Sequence, residues 1–164
     1  MNQRQIPTID SIDRHLLDAL QRDARVKMEA LAAEVGLSAS AVQRRVARLR
    51  NAGVITGECV VLDARAAGSP VTVIVELMLE RERSTLIEGL KRWLVAAEEV
   101  QSAWGVTGET DFVLVVTAAD LESYERFARK MMDENEVIRE FRTSIALNRL
   151  KHSLFVPMRD SSGD

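Results

Sequence analysis

The chain has little of what most active sites and covalent scaffolds need. A single cysteine, Cys59, in 164 residues rules out an internal disulfide. With only His15 and His152 beside it, a structural zinc site lacks ligands. No Gly-flanked nucleophilic serine, HExxH pair or phosphate loop is present, so no enzyme activity and no cofactor are expected. No apolar run reaches the roughly 18–20 residues a membrane span requires. The opening "MNQRQIPTID" has no apolar signal core, and a cytoplasmic protein is expected. One local absence is informative: no acid occurs from Val35 through Gly57, although the whole chain is acidic at net charge −3.

What is present suffices for one or two small soluble domains. Apolar residues are 46% and charged residues 29%. Charge is uneven. Residues 1–62 carry nine Lys/Arg against seven Asp/Glu, and residues 63–164 carry thirteen against eighteen. Two modules are expected, the first suited to a polyanion.

The first module reads as three helices. Asp10 is a candidate N-cap for a helix with Ile12, Leu16, Leu17 and Leu20 as its apolar stripe. A second helix covers about 27–35 and stops at Gly36, a residue at ease in left-handed backbone. Ser38 caps a third that runs to about Asn51. Small Ala32, then Gly36, then Val42 is the spacing of a helix-turn-helix, whose close crossing needs a small residue and a permissive turn. On the third helix Val42, Val46 and Leu49 face the core. Ser40, Arg44, Ala47 and Asn51 lie opposite, with Gln43 and Arg48 flanking and Arg45 nearer the core edge. Arginines alone would fit a solvated basic face. Combined with the turn spacing they point to the major groove, with Ser38, Ser40, Gln43, Arg44, Arg45 and Arg48 as candidate DNA-binding residues. "AGVITGECVVL" then reads as a turn at Gly53 and a short hairpin or wing.

Beyond Gly68 and Pro70 the period changes. A strand at 71–80, a helix at 83–99 with Leu86, Leu90, Trp93 and Leu94 inward, and strands at 100–106 and 111–118 are expected. A helix at 120–135 capped by Asp120, with Leu121, Tyr124, Phe127 and Met131 inward, and a final strand within 137–151 complete a βαββαβ ferredoxin-like order. The first and third strands are apolar on both faces, so a second copy of the chain is expected to cover the face the helices leave open. The fold class is therefore α+β. Its segments are a flexible 1–8, a winged helix-turn-helix at 9–56, a linker strand and loop at 57–70, a ferredoxin-like domain at 71–156 and a disordered tail at 157–164. Cys59 reads as a small apolar residue of the linker strand, and Trp104 as sheet packing.

The motifs "IDSIDRHLLDALQRDAR" (9–25), "LAAEVGLSASAVQRRVARLRNAGVI" (31–55) and "VTGETDFVL" (106–114), in this order and spacing, resemble the Lrp/AsnC family of transcription regulators. The resemblance implies a nucleoid-associated, DNA-binding protein whose ferredoxin-like (RAM-type) domain dimerises and senses a small amino acid. Such dimers commonly assemble into octamers. The resemblance places the effector near Thr107, Gly108, Glu109, Thr110 and Asp111. The chemistry there fits: Gly108 lets backbone N–H groups approach a carboxylate, and Asp111 can meet an ammonium. The family's usual Gly-Asp-aromatic-Asp has Glu109 and Thr110 in its middle positions here. Two alternatives are a DNA-organising protein that senses nothing and an enzyme resembling the siroheme decarboxylases. The scarcity of histidine and the basic helix argue against the enzyme.

Overall fold

The computed structural model describes residues 7–80 and 84–158. Asp10, in extended backbone, starts α1 (Ser11–Arg22). Its carboxylate accepts the Asp13 N–H at 2.8 Å, and the Asp13 carboxylate accepts the Asp10 N–H at 3.3 Å, closing a capping box made of two aspartates. α2 (Met28–Val35) ends on Gly36 at φ +68°, and α3 (Ala39–Asn51) begins under Ser38, whose hydroxyl accepts the Ala41 N–H at 3.2 Å. Leu16, Leu31, Ala32, Val42 and Val46 bury together as the aliphatic centre of these three helices. This is the helix-turn-helix that the Ala32–Gly36–Val42 spacing predicts.

The second unit is a four-stranded antiparallel sheet in the order β2-β3-β1-β4. Its strands are β1 (Val71–Leu79), β2 (Val100–Gly105), β3 (Phe112–Ala118) and β4 (Ile138–Ile145), joined by α4 (Ser84–Ala96) and α5 (Leu121–Glu134). This is the βαββαβ order expected. Val73, Val75 and Leu77 of β1 stand beside Val116, Leu114 and Phe112 of β3. They pack under Leu90 and Leu94 of α4 and Tyr124, Phe127 and Met131 of α5. The opposite face carries Ile74, Val115, Val113 and Trp104 across neighbouring strands, with Ile74 41% and Trp104 52% exposed.

Several expectations are corrected. The hairpin or wing after Gly53, and the linker strand containing Cys59, are not formed in the single chain. No strand lies between α3 and β1. Cys59, Val60, Val61 and Leu62 are exposed, and among the described residues no strand pairs with this stretch. Leu86 and Leu121, expected inward, are 39% and 50% exposed; each sits in the first turn of its helix, where the stripe has not yet met the sheet. The ferredoxin-like unit was expected to run to 156. By its contacts it ends at 150, and residues 151–158 pack with the helical unit. Of the flexible start expected at 1–8 and the tail at 157–164, residues 1–6 and 159–164 lie outside the described residues.

Gly36 is needed for its backbone alone. Its φ is +68°, and a Cβ added there would meet nothing within 4 Å. Gly36→Ala should therefore destabilise the helical unit by about 1 kcal/mol through left-handed strain, without a clash. Thermal unfolding followed by helical circular dichroism checks this; an unchanged midpoint would contradict it.

Candidate DNA-reading and effector-binding sites

Arginine has a fixed fork of donors and stays charged, so its neighbours decide what it can do. Four arginines crowd the second half of α3, and the structure treats them differently. Arg45 donates through Nη1 to Asp10 at 2.7 Å and to Asp13 at 2.9 Å. Arg48 donates through Nη2 to the other Asp13 oxygen. Asp13 has no exposed surface, so its charge is held by these two guanidiniums and the Asp10 N–H. The Asp13 N–H and Arg45 together hold the Asp10 carboxyl below its ordinary range, and the Asp10 and Asp13 carboxylates together raise Arg45. Arg50 reaches Glu58 through Nε at 3.1 Å and through Nη2, a pair exposed on both sides and worth little to stability.

Arg44 differs from the other three. It is exposed and has no hydrogen-bond or ion-pair partner among the described residues. Gln43 and Ser40 are exposed beside it, and the Ser38 and Ser40 hydroxyls lie 3.1 Å apart at the start of α3. All six residues singled out from the sequence thus stand on one helix and its cap. Arg45 and Arg48, expected toward the DNA, are drawn back to α1. The sequence reading missed the reason, which is that Asp13 points inward. The sequence does carry a hint: Asp13 lies one residue beyond Ile12 and three before Leu16 on the apolar stripe, and Arg45 lies at the core edge of α3.

The second candidate site is the β2–β3 connection. Val106 donates to the Asp111 carbonyl at 3.0 Å, closing the loop that contains Thr107, Gly108, Glu109 and Thr110. Gly108 has φ +129°, a conformation side chains rarely adopt. Thr107, Gly108 and Glu109 are exposed, while Thr110 and Asp111 are half-buried. Asp111 has structural work beyond that expected of it. Its N–H donates to the Leu77 carbonyl at 2.9 Å, and its Oδ2 accepts the Leu79 N–H at 2.8 Å. The side chain thereby continues the β1–β3 ladder past Phe112, where β1 slips register against β4 between Met78 and Leu79. No group of His, Cys, Asp and Glu able to hold a metal occurs among the described residues, and no helix there is long and apolar enough to cross a membrane.

A three-helix unit with a basic second helix of its helix-turn-helix, joined to a split βαβ sheet, is the architecture of a DNA-binding regulator with a separate ligand-binding domain. Comparison with known proteins gives the same result. Residues 9–50 match the AsnC-type helix-turn-helix domain and residues 72–154 the Lrp/AsnC ligand binding domain. An uncharacterised HTH-type transcriptional regulator of Sinorhizobium fredii is 42% identical over 92% of this chain and 89% of its own length. A leucine-responsive regulatory protein of Rhizobium meliloti is 32% identical over 87% of this chain and 92% of its own. An AsnC family regulator from Agrobacterium tumefaciens, a solved structure, superimposes with a TM-score of 0.84 at 27% identity, covering 90% of this chain and 96% of that one. The chain belongs to the Lrp/AsnC family. It is a DNA-binding transcriptional regulator of that type with a ligand-binding domain.

Asp13→Ala removes the returning half of the capping box and leaves two guanidiniums without their buried partner. It should destabilise the helical unit by about 2–3 kcal/mol, less than a fully buried pair would lose because Arg45 and Arg48 can rehydrate. Chemical denaturation of the two proteins measures the difference, and a loss below about 0.5 kcal/mol would refute the structural role given to Asp13.

Proposed function

We propose that the chain reads DNA chiefly through Gln43 and Arg44, with Ser38 and Ser40 at the phosphate backbone, and that a small amino acid modulates its assembly and DNA binding. The observation that carries the first part is the contrast along α3. Arg45, Arg48 and Arg50 have acidic partners, whereas Arg44 is exposed without one. A guanidinium without a competing carboxylate can take a guanine edge in bidentate fashion, and Gln43 can do the same for adenine. Arg45 and Arg48 then serve mainly to seat α3 against α1. Working on DNA, the protein would act in the cytoplasm, at the nucleoid.

The effector part rests on the ligand-binding domain match and on the exposed Gly108 turn. Glu109 and Asp111 favour a ligand with a positive group and disfavour a second carboxylate. Because the Asp111 carboxylate already accepts the Leu79 N–H, the backbone of Thr107–Gly108 and the side chain of Glu109 carry more of the recognition than Asp111 does. Dimerisation through the open sheet face is supported by the apolar row Ile74, Val115, Val113 and Trp104, and further assembly up to an octamer is proposed from the family resemblance alone.

Two outcomes are expected. In fluorescence-anisotropy titrations against a duplex selected from a random pool by the wild type, Arg44→Ala should cost about 1–3 kcal/mol of binding, or lower the salt slope by about one if it meets a phosphate. Its melting temperature should stay unchanged, whereas Arg48→Ala should melt earlier. Equal DNA binding by Arg44→Ala and wild type would overturn the reading-helix assignment. In light scattering, the wild type should be a dimer or larger, Ile74→Asp should dissociate it, and at least one amino acid should shift the wild-type distribution. A monomeric wild type removes the assembly, and indifference to every amino acid favours the non-sensing alternative.

A further inference from the structure

Gln21, in the last turn of α1, grips the backbone of a residue 135 positions away. Its Nε2 donates to the Val156 carbonyl at 3.0 Å, and its Oε1 accepts the Val156 N–H at 2.7 Å. One side-chain amide thus takes both hydrogen bonds that a neighbouring strand would otherwise satisfy. The next residue of α1 adds a second contact: the Arg22 guanidinium lies 4.9 Å over the centre of the Phe155 ring. Phe155 is half-buried, while Leu154 and Val156 leave their side chains exposed. Two adjacent residues of α1 therefore recognise two adjacent residues of the C-terminal segment, by backbone and ring rather than by an apolar pocket.

This segment continues β4. Ala146 still donates to the Thr72 carbonyl at the sheet edge, whereas from residue 151 onward the contacts are with the helical unit. The chain therefore joins the two units twice, through the stretch after α3 and through residues 146–150. We propose that Gln21, supported by Arg22, is a positioning residue for DNA binding. It clamps the C-terminal segment to α1, so that the reading unit is held at two points and enters DNA with less freedom to lose. A unit on a single connection samples more orientations, and that entropy is lost when both half-sites are engaged. The proposal rests on the DNA-reading assignment above, but neither residue belongs to α3 or to its cap.

Gln21→Met keeps the length of the side chain and removes both hydrogen bonds. Gln21→Glu keeps the acceptor for the Val156 N–H and loses the donor to its carbonyl. With full-length protein and the duplex selected by wild type, Gln21→Met should raise Kd about three- to tenfold, the equivalent of roughly one net hydrogen bond. Gln21→Glu should fall between the two. The Val156 amide should exchange with deuterium slowly in wild type and fast in Gln21→Met, while the melting temperature stays unchanged. The proposal is overturned if Gln21→Met binds the duplex as wild type does, or if Val156 exchanges equally fast in both proteins. It is overturned equally if the affinity loss follows a fall in melting temperature that Gln21→Glu does not relieve. A wild type that selects no duplex would refute the DNA reading itself, a result distinct from equal binding by the two proteins.

Discussion

A carboxylate with no exposed surface lies between α1 and α3. A buried charge is tolerated only where donors surround it, and Asp13 has three: the Asp10 N–H, Arg45 and Arg48. The same side chain closes the first turn of α1 and anchors the recognition helix. It also sorts the basic stretch. Arg45 and Arg48 are held by Asp13, Arg50 pairs with Glu58, and Arg44 alone of the four has no partner among the described residues, which is why it carries the proposed reading of DNA. The density of positive charge on α3 thus reflects two demands that happen to share one helix, namely seating it and using it.

Asp111 plays a comparable part in the second unit. Its carboxylate substitutes for a backbone acceptor where β1 slips register, so a residue at the edge of the β2–β3 turn is also part of the ladder. This couples the shape of the turn to the end of β1. β1 in turn pairs with β4 through seven residue pairs, from Val73 with Ile145 to Leu79 with Ile138. A ligand that displaced the Asp111 carboxylate would leave the Leu79 N–H without that partner, an unfavourable exchange unless the ligand replaced the bond. In the proposed function, ligand binding at this turn therefore leaves Asp111 in place and works through its neighbours.

The family's division into a reading unit and a ligand-binding unit corresponds to a division in physics. The helical unit is held by small aliphatic side chains and one ionic cluster. The sheet unit is held by a large apolar layer, Val73, Val75, Leu77, Leu114 and Val116 under two helices. Its other face carries a half-exposed apolar row, Ile74, Val115, Val113 and Trp104, beside Glu76 and Arg142, and the energy of that row improves when a partner covers it.

Much of this was legible in the residues. Periodicity located the five helices and four strands of the described residues, because apolar spacing is a local property of the chain. Asp10, Ser38 and Asp120 were recognisable as caps, and Gly36 as a left-handed stop, because each acts on backbone within three residues. The six residues singled out on α3 and its cap and the five of the β2–β3 turn were located on their elements for the same reason. What the sequence could not settle was every matter that depends on which distant group lies alongside. Whether Arg48 faces DNA or Asp13 depends on how α1 crosses α3. Whether the stretch at 57–63 is a strand depends on a neighbour to pair with. Whether Asp111 waits for a ligand or caps Leu79 depends on a slip in register 32 residues earlier. That residues 151–158 belong with α1 depends on a contact spanning 135 residues. Local spacing determines the elements and their faces, and tertiary packing alone decides which charges and amides are already taken.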